Sequence, residues 1–492
     1  MKLLDQNTSS HYKVPELVLM EQAAMHFVWE LCGILSEREA KKGIVFCGLG
    51  NNGADGIAIA RLLNERGIPT RICKVKDFLN QNEKEKKATS DSFCVQESIY
   101  HAYNYPVLYD LKELEKEDYD FVIDAVFGIG LSRDLNEEYT VLLQKINHID
   151  ALKIAVDMPS GINSDNGQIM GCAVKCDYTI TFSFEKMGQY LWPGFEYAGK
   201  TIVVDMGITQ KSWLDKKPAY AYLEKTDLKN LPKRQAHSNK GTYGKVLVIA
   251  GSKEMAGAAV FAAKAAYRCG AGLVKVFTSE ENRTILQTAV PECIVATYGS
   301  KLDKDIFISH LNWADAIVAG PGIGQSPAAK EMVRFIHETA HVPVVWDADA
   351  LNLFAQDMNQ LSFPHTDYIM TPHLGEFSRM ANVSIEWIQN HFVESAINFA
   401  RTYDVICVLK DFHTITAVPS GLSYLNLSGN HGMATGGSGD VLAGVIGALL
   451  AQGMKAELAA AYGVFLHGLA GDKAREQRSA HAMMAGDIID AL

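Results

Sequence analysis

Asp440 is the residue in this sequence best placed to do chemistry at a phosphate. It closes the run GMATGGSGD (432–440), which passes directly into the apolar stretch VLAGVIGALLA. Glycines let backbone amides approach an anion closely, and a helix N-terminus adds a favourable dipole. Thr435 and Ser438 add hydroxyls. An aspartate at this point either caps the helix or acts as a general base beside a phosphate-binding nest. The first half of the chain carries a second set. GLGNNGADG (48–56) links an apolar run to a helical one, and offers backbone amides, two side-chain amides and Asp55. It has G-x-G once and lacks G-x-G-x-x-G, so it is not a standard dinucleotide fingerprint, and a turn with a helix cap explains it equally well. VIDAVFGIGLSRD (122–134) and AVDMPSGINSD (155–165) each put an aspartate and glycines at the end of an apolar run. In an open parallel sheet such ends line one crevice.

The elements that must hold these residues recur as apolar strand, glycine turn and helix. GIVFCGLG (43–50) reads as a buried strand and ADGIAIARLLNERG (54–67) as a helix with Ile57, Ala60 and Leu63 on one face. TRICKV, FVIDAVFG, KIAVDMPSG, YTITFS and TIVVDMG continue the series. Near 209–220 the pattern breaks, and 229–241 is polar and basic. A new series runs from KVLVIAGS (245–252) through DAIVAG, VPVVWDAD, DYIMTPH and DVICVLK to two closing helices at roughly 439–452 and 456–474. Continuous apolar strands alternating with helices predict an α/β chain with largely parallel sheets covered on both faces. Two domains are expected, with a boundary near 210–225. The stretch NQNEKEKKATSD (80–91) reads as a solvated helical face.

The 492 residues are too many for one core. A net charge of -11 gives no support to non-specific nucleic-acid binding. The first residues, MKLLDQNTSSHYK, have no signal-peptide pattern, and the longest strongly apolar run, Val441–Ala451, is too short to span a bilayer. No membrane association is expected. The nine cysteines are an odd number without a CxxC pair. They read as free thiols in a reducing, cytoplasmic setting, and the Cys172/Cys176 pair has no second pair with which to make a metal site.

Several motifs in order give the second half a specific likeness. KGTYGKVLVIAGS (240–252), GAAVFAAKAAYRCGAGLV (257–274), GPGIG (320–324), DADAL (347–351), TPHLGEF (371–377), LKDFHT (409–414), GNHGMATGGSGDVLAGVIGALL (429–450) and HGLAGD (467–472) resemble the ADP-dependent NAD(P)H-hydrate dehydratases, a branch of the ribokinase-like kinases. The resemblance implies a ribokinase-like α/β domain over 222–492. Ala258, Gly322 and His373 would contact the hydrated dinucleotide. Lys410, Asp411, Phe412, His413 and Thr414, with Gly439, would hold ADP, and Asp440 would be the base at the substrate hydroxyl. Mg2+ would be the counter-charge. The nucleotide phosphorylates the ring hydroxyl, and phosphate, a better leaving group than hydroxide, then departs. Simpler roles compete: His373 and Asp349 as helix caps, Lys410 as a surface lysine at a strand end. Asp411 stands where the family has glycine, and His431 where it has proline.

The first half resembles the NAD(P)H-hydrate epimerases of YjeF N-terminal type, which implies a Rossmann-like three-layer domain over 1–215. The stretch VPELVLMEQAA (14–24) matches the family's leading helix, whereas LDQNTSSHY before it matches poorly. The resemblance assigns K+ to Asn52, Asp124 and Ser160, an oxygen-only set that suits a hard cation. Substrate would lie against Asn51, Asn52, Gly53, Ala54 (glycine in most relatives), Asp55, Gly128, Ile129, Gly130, Leu131, Ser132, Arg133, Asp134 and Asp157. Asp157 would handle the proton during inversion at the hydrated ring carbon. Together the halves would form a multifunctional metabolite-repair enzyme, isomerase and lyase in one cytoplasmic, homo-oligomeric chain. Its partners would be hydrated NADH, hydrated NADPH and ADP. The competing readings are a ribokinase-like kinase of vitamin or sugar hydroxyls and a non-catalytic N-terminal binding domain.

Overall fold

Two series of apolar strands give two sheets, one in each compact unit of the chain: residues 1–217 and 218–492. The computed structural model describes residues 1–77, 89–358, 362–363 and 367–492. Most of the charged stretch 80–91 lies outside the described residues.

In the first unit the strands are β1 (Gly43–Cys47), β2 (Thr70–Lys74), β3 (Val107–Leu108), β4 (Phe121–Ala125), β5 (Leu152–Val156), β6 (Tyr178–Phe182) and β7 (Lys200–Val204). They pair in parallel in the order β3-β2-β1-β4-β5-β6-β7. The helices α1 (Lys2–Ser10), α2 (Glu16–Glu37) and α3 (Asn51–Glu65) precede and interleave the first strands. α2 is long and apolar enough to cross a membrane by length and composition. Its stripe Met20, Ala23, Phe27, Leu31 and Ile34 is instead buried with Val45, Ile57, Ile123 and Ile154 in the core on one sheet face. Leu142, Leu143 and Ile146 of the helix Glu137–His148 cover the other face. The strand order reverses between β1 and β4, and that switch point is where an open α/β sheet leaves a crevice at its strand ends.

α3 begins at Asn51, three residues before the helix expected from sequence. Gly53 allows this: a Cβ there would lie 1.9 Å from the Gly48 carbonyl oxygen, so only glycine lets the helix start so close behind β1. Asp55 is therefore in the second turn, not at the helix start.

The second unit has β8 (Tyr220–Ala221), β9 (Lys245–Ile249), β10 (Leu273–Ser279), β11 (Ile294–Tyr298), β12 (Ala316–Ala319), β13 (Val344–Trp346), β14 (Tyr368–Met370), β15 (Ile406–Leu409), β16 (Thr414–Ala417) and β17 (Ser423–Asn426). Their order is β11-β10-β9-β12-β13-β14-β15-β16-β17-β8. The sheet is parallel from β11 to β15, and β16 is antiparallel to both of its neighbours. β8 pairs with β17, so the unit starts at Pro218 rather than at 222. The helices Ser438–Ala451 and Ala456–Arg478 were expected, and a third, Ala485–Ala491, follows them. The helix Ser438–Ala451 is buried on nearly every side, as an all-apolar stretch requires.

Candidate active sites

In the first unit the ends of β1, β4 and β5 open onto a cavity of about 830 Å³. Asn51, Asn52, Asp55, Gly128, Ile129, Gly130, Leu131, Ser132, Arg133 and Asp157 line it. Gly53 and Ala54 are buried in α3 behind that wall, and Asp134 is exposed beyond it. Asp124 and Ser160 lie fully buried beneath it. Asp124 accepts hydrogen bonds from the Ser160 amide (2.7 Å), the Ser160 hydroxyl (2.5 Å) and the Val126 amide (3.3 Å). Burial pushes its carboxyl up to about 6 against those hydrogen bonds. The side-chain nitrogen of Asn52 is enclosed and unpartnered. Turning the amide over places an unpartnered oxygen there instead. Among the described residues no three His, Cys, Asp or Glu side chains converge on a metal position. Asn52, Asp124 and Ser160 offer an amide, a carboxylate and a hydroxyl, donors of the kind a hard cation takes.

Asp157 follows β5 with a left-handed backbone, φ 65°. For a non-glycine residue this conformation costs on the order of 1–3 kcal/mol and is held by its surroundings. The holders are plain. Its carboxylate accepts from Thr181 Oγ1 (3.0 Å), the Phe182 amide (3.1 Å) and Lys186 Nζ, and Gln189 Nε2 donates to its carbonyl (2.7 Å). Lys186 is buried and also donates to Thr181 Oγ1 and the Phe182 carbonyl. The sequence reading missed Lys186. Its only sequence signal is a lysine four residues after an apolar strand, and that is a common surface pattern.

In the second unit the same logic applies at the ends of β9, β12, β13, β14 and β15. The loops after β9 and β12 are tied together by the Ser252 amide, which donates to the Gly322 carbonyl at 2.6 Å. A Cβ built on Gly322 would lie 3.0 Å from Cβ of Ala258, so these two predicted positions adjoin. After β13, Asp347 accepts from Thr371 Oγ1 (2.6 Å) and pairs with Lys410 Nζ (3.1 Å). Gly439 faces that pair: its Cβ position is 3.5 Å from Lys410 Nζ and 3.7 Å from Asp347 Oδ2. The ammonium of Lys410 is pulled down by burial, but Asp347, Glu376 and Asp440 outweigh this and hold it above the ordinary lysine value. It is not the surface lysine that its sequence context allows. Asp411 and Phe412 are exposed at the turn that follows, and Thr414 starts β16.

Asp440 lies in the first turn of the helix Ser438–Ala451, and no side chain caps that helix. The N-cap is Gly437, at φ 92°, where a Cβ would also strike the Phe261 ring at 2.5 Å. Capping therefore does not explain Asp440. Burial, with Asp347 beside it, lifts its carboxyl to about 7 against the opposing pull of Lys410. His373 does take the cap role. Its Nδ1 accepts from the amides of Gly375 (3.0 Å) and Glu376 (3.3 Å), and Glu376 accepts from its amide in return. The backbone of His373 adjoins that of Lys410, so the ring stands near the same site. Asp349 does not cap. It accepts from the Gly324 amide at 2.9 Å and so fixes the GPGIG loop.

The HGLAGD segment has a structural task the sequence did not reveal. Asp472 accepts from the Gly429 amide (2.9 Å) and Asn430 Nδ2 (3.0 Å), where the glycine-rich run begins. His467 Nε2 lies 3.3 Å from Ser438 Oγ, where the run ends. Burial, then Lys410, drives His467 down to about 4, so its ring is neutral. One helix thus grips both ends of the loop that carries Asp440.

Comparison with known proteins adds to this geometry. A family model described as NAD(P)H-hydrate dehydratase matches residues 246–492, and one described as YjeF-related protein N-terminus matches residues 16–188. A bifunctional NAD(P)H-hydrate repair enzyme of Moorella thermoacetica is 36% identical over 508 aligned residues, covering 100% of this chain and 94% of that protein. One from Coxiella burnetii is 37% identical, over 92% of this chain and 90% of that one. Among solved structures, a ribokinase-like superfamily protein of Enterococcus faecalis is similar with a TM-score of 0.51 and 28% identity, over 56% of this chain and 94% of that chain.

Proposed function

The chain belongs to the bifunctional NAD(P)H-hydrate repair enzymes, which unite an epimerase and a dehydratase, and we propose that its two units divide that work between Asp157 and Asp440. The first unit interconverts the R and S hydrates in the cavity at the ends of β1, β4 and β5. The second dehydrates the S form to NAD(P)H at the expense of ADP, giving AMP and phosphate. The single observation that carries this reading is the convergence of Asp440, Lys410, Asp347 and Gly439 at the mouth of the glycine-rich loop. It supplies a base poised near neutrality and a cation where phosphate charge would lie. The kinase alternative loses its ground, because relatives matched along the whole chain are repair enzymes.

In this reading the substrate hydroxyl lies within reach of Asp440, which accepts its proton as the oxygen attacks the β-phosphate of ADP. Lys410 and the amides around Gly436, Gly437 and Gly439 stabilise charge on the transferring group. Lys410, with Thr414 on β16 beside it, orients the nucleotide; Ala258, Gly322 and His373 border the dinucleotide. Mg2+ would supply counter-charge on the phosphates, which bind it with few protein ligands.

K+ at Asn52, Asp124 and Ser160 would supply fixed positive charge beneath the epimerase cavity. The unpartnered Asn52 amide supports this assignment. Asp124→Asn keeps an acceptor for the Ser160 amide while removing the charge. Epimerisation should fall at least about 10-fold, the rise in melting temperature on adding K+ should vanish, and dehydration of the S hydrate should stay intact. A variant that still responds to K+ as the parent does counts against the site.

A cytoplasmic location is supported by the free cysteines, several of them buried, which suit a reducing compartment. A homo-oligomer is supported by the exposed apolar stripe Val18, Met25 and Trp29 on α2, which a second copy would cover. A monomer in sedimentation experiments would remove that part of the reading.

A further inference from the structure

The first helix of the chain forms part of the cavity wall, and the division of labour above gives it no task. α1 places Asp5 on that wall, with Met1, Lys2, Gln6 and Ser9. Its other face is anchored. Leu4 is buried with Leu19 and Ile208. Thr8 Oγ1 shares a hydrogen bond with Ser212 Oγ at 2.7 Å, and Asn7 Nδ2 donates to the Ser212 carbonyl at 2.8 Å. The Asp5 carboxyl is thereby held at the cavity. Its Oδ1 is enclosed and has no hydrogen-bond partner. A buried polar atom left without a hydrogen-bond partner is costly to the fold. A carboxyl oxygen kept in that state at the edge of a large cavity is one that a ligand completes. Burial, then the charge of Asp157, push this carboxyl up to about 6.

The chemistry of the substrate calls for a second such group. Water added across the enamine double bond of a dihydronicotinamide leaves its hydroxyl on the carbon next to the ring nitrogen, as a hemiaminal. That carbon inverts without any redox change if the ring opens and recloses. A base takes the hydroxyl proton and the carbon becomes an aldehyde carbonyl. The carbon–nitrogen bond breaks, its electron pair goes to nitrogen, and an acid protonates that nitrogen. Rotation about the neighbouring carbon–carbon bond presents the other carbonyl face. The nitrogen then adds back, returns its proton to the acid's conjugate base, and the oxygen recovers a proton from the first group. All substrate atoms are retained, and two protons move between two protein groups. Asp157, ion-paired with Lys186, is suited to be the base.

Resting on the epimerase reading of this cavity, we propose that Asp5 is the second proton-handling residue of the epimerase, donating to the ring nitrogen on opening and accepting from it on closure. Two carboxyl groups in differing surroundings, one beside an ammonium and one without a partner, are a common way to separate an acid from a base. The cavity's other carboxyls are Glu16, which accepts a hydrogen bond from Asn51 Nδ2, and Asp55. Burial, and then the charge of Asp157, raise Asp55 well above the usual carboxylate range.

The test uses the full-length enzyme, with ADP omitted so that the dehydratase is idle. Conversion of purified R hydrate to S is followed by chiral chromatography for the parent, Asp5→Asn, Asp5→Glu and Asp157→Asn. Asp5→Asn should lower kcat about 10²-fold, with KM and melting temperature little changed. Asp5→Glu should recover part of kcat, and dehydration of the S hydrate with ADP should be unaffected. If α1 is only a wall, Asp5→Asn raises KM and leaves kcat within about twofold, and the proposal is overturned. If Asp157→Asn also epimerises normally, the cavity is not the epimerase site and both readings fall together.

Discussion

Replacing Asp440 by asparagine should leave a folded, nucleotide-binding enzyme whose dehydratase rate is lower by about 10²–10⁴. The change keeps the side chain's size and removes its capacity to accept a proton. ADP affinity should persist or tighten slightly, because one negative charge beside the phosphates is gone. The helix start should not suffer even in Asp440→Ala, since the N-cap is Gly437 and Asp440 makes no capping hydrogen bond. Two pH effects accompany this. As the base, Asp440 must be ionised, so the parent's dehydration rate should fall as the pH drops through about 7. For stability the direction is opposite. Its carboxyl titrates at about 7 in the folded protein and near 4 when unfolded, so the folded state holds the proton longer. Stability is lost as the pH rises between about 4 and 7. Without nucleotide, Asp440→Asn should therefore melt above the parent at pH 8, and the difference should close towards pH 4. Melting curves at both pH values, beside steady-state kinetics, check this. Near-normal turnover in the variant would exclude Asp440 as the base.

Asp157→Asn should abolish epimerisation to a similar extent, about 10²–10⁴ in kcat, while S-hydrate dehydration survives. Asparagine is the mildest probe at this position because it tolerates the left-handed backbone that Asp157 adopts. It also leaves the ammonium of Lys186 buried without its carboxylate. Breaking a buried pair by removing one partner costs about 3–5 kcal/mol. The first unit should thus melt lower. Adding Lys186→Met should recover much of that stability and none of the activity. A double variant that regains epimerisation would mean that Asp157 serves only to hold Lys186.

The strand ends carrying both sites were legible because a parallel sheet writes them as apolar runs stopped by Asp, Gly and Pro. β1, β4 and β5, and later β9, β12, β13, β14 and β15, were all visible in this way. Two-residue β3 and β8 were not, since a pair of residues carries no period. The four-residue strands β16 and β17, an antiparallel hairpin that begins at the end of the LKDFHT motif, were not legible either. The side-chain pairings were less legible still. Lys186 is 29 residues from Asp157 and Lys410 is 63 from Asp347. Only the packing of separate strands brings them together. Asp472 and His467 were seen as a motif, but their grip on the glycine-rich loop depends on how one helix lies across it. His373 shows the reverse case: its cap geometry is local, and the simple reading from Thr-Pro-His before a helix described it.

The central claim is that one chain carries the hydrate from R to S in one unit and from S to reduced cofactor in the other. It is tested most directly by supplying purified R or S hydrate to the full-length enzyme, with and without ADP. Reduced-nicotinamide absorbance, R/S composition, AMP and phosphate are then followed together. The account predicts that S hydrate with ADP yields reduced cofactor, AMP and phosphate in equal amounts from the start. R hydrate should yield the same products after a lag, and without ADP it should equilibrate with S and give no absorbance. A phosphorylated hydrate that accumulates without reduced cofactor, or R hydrate that stays inert beside active dehydration of S, would contradict it.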